Sequence, residues 1–129
     1  MDKSDFLENA ILDHVLRNVA YAPSTTIEVY LFNTLPDAAG AGGEEVSGGS
    51  YSRQTVTFGA PTEGTVANVG AVTFPAATAS WGTVIGLGLY TNVGAGSRLL
   101  YFGALTVPKV IDTGDQLSFA SGALTVSEA

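Results

Sequence analysis

The sequence contains no cysteine, which removes disulfide bonds and thiolate metal ligands from consideration. Charge is scarce as well: charged residues make up 13% of the 129 residues, with 5 basic against 12 acidic, for a formal net charge of -7. Because nucleic-acid binders rely on Lys and Arg to meet phosphates, this balance argues against a direct nucleic-acid partner. A surface so poor in charge often faces other protein, although an all-β fold can equally carry Ser and Thr on its solvated face.

Long apolar runs are also missing. No segment approaches the roughly 20 apolar residues that a membrane-spanning helix needs, so we expect no membrane partner. Residues 1–5 are largely polar with two acids, and an amphipathic stretch rather than an apolar run follows them, which is unlike a signal peptide. We therefore expect the chain to be made and kept inside the producing cell unless lysis releases it.

One amphipathic helix is expected near the start of the chain, over residues 5–18 and within a segment that spans 4–19. Its apolar residues recur at helical spacing and form one stripe: Leu7, Ile11, Leu12, Val15, Leu16 and Val19. Asp5 with Glu8 three places later fits a capping box, and Ser4 is the competing cap. Pro23 prevents a simple continuation of the helix.

Beyond Pro23 the apolar residues alternate, which is typical of strands. Strands are predicted over residues 25–32, 51–58, 66–74 with a break near Gly70, 83–91, 98–105, 110–111, 116–120 and 123–126. About seven or eight short strands without intervening helices predict a single all-β domain over residues 1–129, an antiparallel β-sandwich of jelly-roll or immunoglobulin-like type. In the strand 83–91 we expect Thr83, Ile85, Leu87 and Leu89 to share one face.

Glycine and proline mark the connections. Residues 33–50 form a glycine-rich loop that is long for a compact domain, and this makes it a candidate contact loop or a partly mobile one. Residues 92–97 and 112–115 carry turn signals, and Pro108 either ends the strand before it or marks a sheet edge.

No residue pattern indicates catalysis, a metal or a cofactor. His14 is the single histidine, and a packing or surface role is favoured, since a small hydrolase would need it beside a Ser and an acid. The acids are too scattered for a hard-cation site. The Gly86-Leu87-Gly88 segment lacks the helix and Lys of a nucleotide loop, so we expect these glycines to allow a close approach by other atoms. Trp81 is expected to be a core anchor.

The order of several segments resembles a known protein family. The chain opens with SDFLENAILDHVL at residues 4–16 and continues with EVSGGSYSR at 45–53, VTFPAATASWGTV at 72–84 and FASGALT at 119–125. These segments resemble small structural proteins of tailed phages, commonly labelled tail fibre or minor tail proteins. The resemblance implies a non-enzymatic virion component that is made in the cytoplasm of the host bacterium.

Several roles are compatible with these observations. The chain would contact other virion proteins, as a homo-oligomer or in a symmetric array, either at the tail or its fibres or as a decoration (cement) protein of the capsid. The alternative is an adhesin module that binds a host-surface glycan. That alternative requires exposed aromatic residues in one open groove, and the candidates are Tyr21, Tyr30, Tyr51, Tyr90 and Tyr101.

Two segments are the candidate interface. From the helix stripe we select Leu7, Ile11 and Val15, because these apolar side chains must be buried somewhere. From the loop and the strand after it we select Glu44, Glu45 and Tyr51. Helix and loop folding back on their own domain is an equally supported reading.

Overall fold

The computed structural model describes residues 1–24, 26–91 and 97–128, and within them the chain forms antiparallel sheets with one short helix. The elements are β1 (Asp2–Lys3), α1 (Asp5–Leu16), β2 (Ile27–Thr34), β3 (Glu44–Glu45), β4 (Gln54–Val56), β5 (Thr65–Ala67), β6 (Val72–Thr73), β7 (Gly82–Thr91), β8 (Leu99–Ile111), β9 (Ser118–Phe119) and β10 (Thr125–Ser127). The all-β, sandwich-like fold class is confirmed. Several strands are shorter and more divided than predicted, and the turn at 92–97 lies mostly outside the described residues.

The largest sheet is built on the three long strands β2, β7 and β8. Its order is β1-β8-β7-β2-β3, and β4 also pairs with β2. Two small sheets, β5 with β10 and β6 with β9, supply the opposite layer. The core lies between these layers, where Val29 and Leu31 of β2 meet Val72 and Val126 of the small sheets. Alternation along β2 therefore points one set of side chains inward, as the sequence pattern predicted.

Strand β7 changes which of its faces is buried part-way along. Leu87 and Leu89 are buried as predicted, but Val84 is buried in place of its neighbours Thr83 and Ile85. A register shift lies between these two parts of β7, between Val84 and Gly86, where β8 places extra residues opposite β7. The predicted single apolar face is therefore wrong before this irregularity and right after it.

Pro108 lies among the extra residues of β8. Strand β8 runs through this proline, so the expectation that Pro108 ends the strand is wrong. The alternative, that it marks an edge, is confirmed, because β1 pairs only with Tyr101 and Phe102 and leaves the later part of β8 outermost. A proline is compatible with this position since no neighbouring strand requires its missing N–H.

The close approach of neighbouring atoms accounts for the two glycines inside β7. A Cβ atom on Gly86 would lie 2.6 Å from both the Gly103 carbonyl oxygen and Leu35 Cδ2. A Cβ on Gly88 would lie 2.9 Å from the Tyr90 ring. Both distances are too short for a side chain, which confirms that the glycines make room for neighbouring atoms.

The glycine-rich loop contains fewer residues without regular structure than the predicted range 33–50. Strand β2 extends to Thr34, and β3 lies within the loop and pairs with the end of β2. The last part of the loop is held by Trp81, which is 3% exposed and donates its Nε1–H to the Gly49 carbonyl at 2.9 Å. Trp81 is therefore the core anchor that was predicted, and it fixes one end of the loop to the core.

Candidate functional site

The start of α1 is fixed to the main sheet. Ser4 is the N-cap, since its Oγ accepts the Leu7 N–H at 3.2 Å, so the cap is Ser4 and not Asp5. Ser4 also donates its N–H to the Leu100 carbonyl at 2.8 Å, and Leu7 is buried. The first turn of the helix is thereby part of the domain, and Leu7 is not free to contact another protein.

The other end of α1 stands in solvent. The helix ends at Leu16, before the predicted residue 18, because Asn18 adopts a left-handed conformation with φ of 57°. Four aliphatic side chains there remain largely exposed: Leu12 at 54%, Val15 at 67%, Leu16 at 74% and Val19 at 46%. We call these four residues the helix tip. Ile11, between the tip and buried Leu7, is half-buried.

The segment after the helix folds back along it. Tyr21 donates its N–H to His14 Nδ1 at 3.3 Å, and its ring lies edge-on to Phe6 with 6.5 Å between centroids. His14 thus serves as a hydrogen-bond acceptor for the backbone on an exposed part of the helix. This contact holds the segment after the helix against it but leaves the apolar side chains of the helix tip exposed.

The loop residues form a different kind of arrangement. The Glu45 carboxylate accepts two hydrogen bonds from Arg53, from Nε and from an Nη, each at 2.9 Å, and a third from the Tyr51 hydroxyl at 2.7 Å. The Arg53 guanidinium also lies 3.9 Å from the centroid of the Tyr30 ring. We call Glu45, Tyr51, Arg53 and Tyr30 the Glu45 clamp. Glu44 beside it is exposed and points away from this network.

The clamp also completes the backbone pairing of β2. The Leu31 N–H lies between the segments of β2 that pair with β3 and with β4, and it donates to the Tyr51 hydroxyl at 3.0 Å. Burial raises the pKa of Tyr51 well above its ordinary value, and the hydrogen bond to Glu45 raises the pKa of Arg53. Tyr51 therefore stays neutral and Arg53 stays cationic, and their hydrogen bonds hold the loop against the sheet.

The two predicted groups of interface residues are not brought into one network. No hydrogen bond or ion pair joins Leu7, Ile11 or Val15 to Glu44, Glu45 or Tyr51 among residues 1–24, 26–91 and 97–128. The sequence analysis missed the contact between Arg53 and the Tyr30 ring. The alternating positions of Tyr51 and Arg53, two residues apart on one face, were the available signal.

The tyrosines do not form an open aromatic groove in the described part of the chain. Tyr30 and Tyr90 stack on each other with 3.8 Å between centroids and 11° between planes, and burial raises the pKa of Tyr90 to about 12. Tyr51 belongs to the clamp, Tyr101 donates its hydroxyl to a carboxylate at 2.6 Å, and Tyr21 lies beside the helix. Their rings are largely engaged within the chain, and the hydroxyls of Tyr51 and Tyr101 form hydrogen bonds within it.

An apolar cavity of about 280 Å³ opens at one end of the sandwich. We call it the sandwich-end cavity. Its lining comprises Ile27, Phe58, Pro61, Gly64, Val66, Leu89, Leu100, Tyr101, Val126 and Glu128. The described residues hold no group of three or more His, Asp and Glu side chains arranged as a metal site would require.

The comparison with protein families gives a decisive match. Residues 2–127 match the family described as Podophage GP4 fiber I protein gp80. The chain belongs to this family. It is therefore a tail-associated structural protein of the phage virion. The sequence resemblance had implied a virion component without placing it on head or tail. The comparison with curated proteins gave no match. No helix among the described residues is long and apolar enough to span a membrane.

Proposed function

We propose that this chain is a non-enzymatic subunit of the phage tail-fibre apparatus that assembles by docking its helix tip on a neighbouring virion protein. The family match to a fiber protein supports a tail-fibre position over a capsid-decoration one. The arrangement of the tyrosines gives the adhesin alternative no comparable support.

The exposed helix tip carries this proposal. Leu12, Val15 and Leu16 lie within about 100° of helix circumference, so they present one apolar surface. Burial of each side chain would contribute on the order of 1 to 2 kcal/mol, given how much of it is still exposed. A surface of this kind on a chain with only 13% charged residues favours contact with protein.

The Glu45 clamp supplies a different part of the assembly. Its carboxylate already accepts three hydrogen bonds, and the Tyr51 hydroxyl both donates one and accepts one, so these two groups have little hydrogen-bonding capacity left for a partner. We assign Glu45 and Tyr51 to shaping the loop surface rather than to direct binding. Ile11 and Val15 belong to the docking surface, and Leu7 anchors it.

Complementation of a phage that lacks this gene tests the proposal. We expect the Leu16→Asp variant to fold with an unchanged melting temperature, because the side chain is exposed, yet to enter purified particles at about one tenth of the normal level or less. Immunoblotting of gradient-purified particles against a known amount of the chain measures this.

The matched control is Val69→Asp, which alters a side chain that is 63% exposed away from the helix. We expect this variant to enter particles normally. Absence of the wild-type chain from purified particles, or normal incorporation of Leu16→Asp, would refute the docking role.

A further inference from the structure

The sandwich-end cavity is an open apolar pocket beside the core. Its walls come from both layers, with Ile27 and Leu89 from the main sheet and Val66 and Val126 from the small sheet of β5 and β10. Apolar surface in an open pocket is in contact with water, and covering it with another apolar surface is favourable. An apolar opening of about 280 Å³ is therefore an unsatisfied surface, in the same sense as the helix tip.

The helix tip does not fill this cavity in its own chain. The start of α1 is tied down by Ser4 N–H to the Leu100 carbonyl and by Asp5 N–H to the Ala38 carbonyl, both at 2.8 Å. Leu7 is buried, while Leu16 at the far end is 74% exposed. Moving the tip into the cavity would break these hydrogen bonds and expose Leu7, so the cavity is more easily filled by a different molecule.

We propose that the sandwich-end cavity receives the helix tip of a second copy of this chain. This inference rests on the proposed function and names the neighbour on which the tip docks. The contact joins two different surfaces of the same chain, so repetition of it gives a ring or an open head-to-tail array. Each copy would both donate a tip and accept one.

Size and chemistry fit this occupant. An engineered apolar cavity of about 150 Å³ accepts a benzene molecule, so about 280 Å³ has room for roughly two aliphatic side chains. Leu12 and Leu16, one turn apart on the tip, are of that size and number. The lining is apolar apart from Glu128 and the Tyr101 hydroxyl at its edge, which matches side chains without polar atoms.

Charge at the rim is also complementary. Glu63 is exposed next to the lining residue Gly64, and among residues 1–24, 26–91 and 97–128 it forms no ion pair. Arg17 lies within the span of the tip, next to Leu16, and its side chain is 71% exposed while paired with Asp13. An inserted tip would bring a cation toward this acidic rim, which favours the head-to-tail contact over a random apolar encounter.

Sedimentation velocity over a concentration series tests self-association of the full chain. We expect reversible association that Leu16→Asp and the cavity-filling variant Val66→Phe each weaken by about tenfold or more, whereas Val69→Asp leaves it unchanged. A chain that stays monomeric up to about 1 mM would overturn the inference.

Cross-linking tests the geometry even if a variant folds poorly, and the absence of natural cysteine makes it specific. In a mixture of Leu16→Cys and Pro61→Cys chains that carry tags of different size, we expect a disulfide-linked heterodimer at least about tenfold above that from Leu16→Cys with Val69→Cys. Predominant pairing of Leu16→Cys with itself, or an intrachain disulfide in the doubly substituted chain, would contradict head-to-tail docking.

The two proposals fail separately. If Leu16→Asp is lost from particles while the purified chain neither associates nor cross-links, the tip docks on another virion protein and only the further inference falls. If the chain associates through tip and cavity but Leu16→Asp enters particles normally, the docking role in the particle falls.

Discussion

The Glu45 clamp and the helix tip were both expected to face a partner, and they differ in how much of their chemistry the chain itself uses. In the clamp, one carboxylate accepts three hydrogen bonds, and the Tyr51 ring packs over buried Phe74 with 6.1 Å between centroids and 9° between planes. At the tip, four aliphatic side chains are exposed to solvent and are not packed against the core. A sequence segment of unusual composition therefore indicates an interface only when its side chains remain exposed and without partners within their own chain after folding.

The largest expected effect lies beneath the clamp. Phe74 is fully buried, so Phe74→Ala should lower the free energy of unfolding by about 3 to 5 kcal/mol through lost apolar contacts and the cavity left behind. Leu16→Ala, at the tip, should change it by less than about 0.5 kcal/mol. Urea denaturation followed by Trp81 fluorescence measures both values.

This pair of variants can break the comparison. If Leu16→Ala were to cost more than about 2 kcal/mol, the tip would be packed within its own chain in solution, and the contrast with the clamp would disappear. A small effect at Phe74 would instead mean that the layer carrying the clamp is not part of the cooperative core.

A smaller effect is expected from the clamp itself. Glu45→Ala removes the shared acceptor of Tyr51 and Arg53, and we expect a loss of about 1 to 2 kcal/mol, since the carboxylate is half-buried and the Arg pairing is bidentate. Equilibrium unfolding in low salt checks the value, and repeating it in high salt should reduce the difference between variant and wild type.

Glu44→Ala is the matched control, because Glu44 is adjacent in sequence, exposed and outside the hydrogen-bond network. Its effect should stay below about 0.5 kcal/mol. Equal effects at the two positions would show that the clamp does not hold the loop, and the assignment of Glu45 to loop shaping would then be wrong.

The sequence predicted the parts of the fold that depend on local pattern. The β2 alternation, the core position of Trp81 and the existence of α1 all follow from residue spacing and side-chain size. The burial of Val84 together with Leu87 could not be predicted, because it accompanies an irregular pairing of β7 with β8, whose paired residues lie farther along the chain. The periodicity of one strand does not show where its partner carries extra residues.

The candidate site was also predictable from the sequence only in part. The apolar stripe of α1 was visible from spacing, yet its division into buried Leu7 and exposed Leu16 depends on where β8 ends its contact with the helix. Likewise, Glu45 and Tyr51 were selected from composition, but their bond to Arg53 and the stacking of Arg53 on Tyr30 require tertiary structure. Sequence thus locates such segments, and packing decides which of their groups remain available.

The smallest effect is expected at a third polar contact, where Glu128 binds Lys3 and the Tyr101 hydroxyl. The Glu128 side chain is 44% exposed, compared with 22% for Glu45, so this pair should contribute no more than about 1 kcal/mol. Hydrogen bonds from Lys3 and Tyr101 lower the pKa of Glu128 below its ordinary 4.5. The contribution is therefore present above pH 4.5 and is lost as the pH falls through the lower folded-state value.

Glu128→Gln isolates this contribution. We expect the variant to be slightly less stable than wild type at neutral pH and equally stable once the pH is low enough to protonate Glu128 in the folded state, measured by thermal unfolding across the acid range. Glu63→Gln, which alters an exposed acid outside any ion pair of the described residues, is the control, and at neutral pH its stability should stay within about 0.5 kcal/mol of wild type. A Glu128→Gln curve that stays parallel to wild type at all pH values would show that this contact, unlike the clamp, contributes nothing to the folded state.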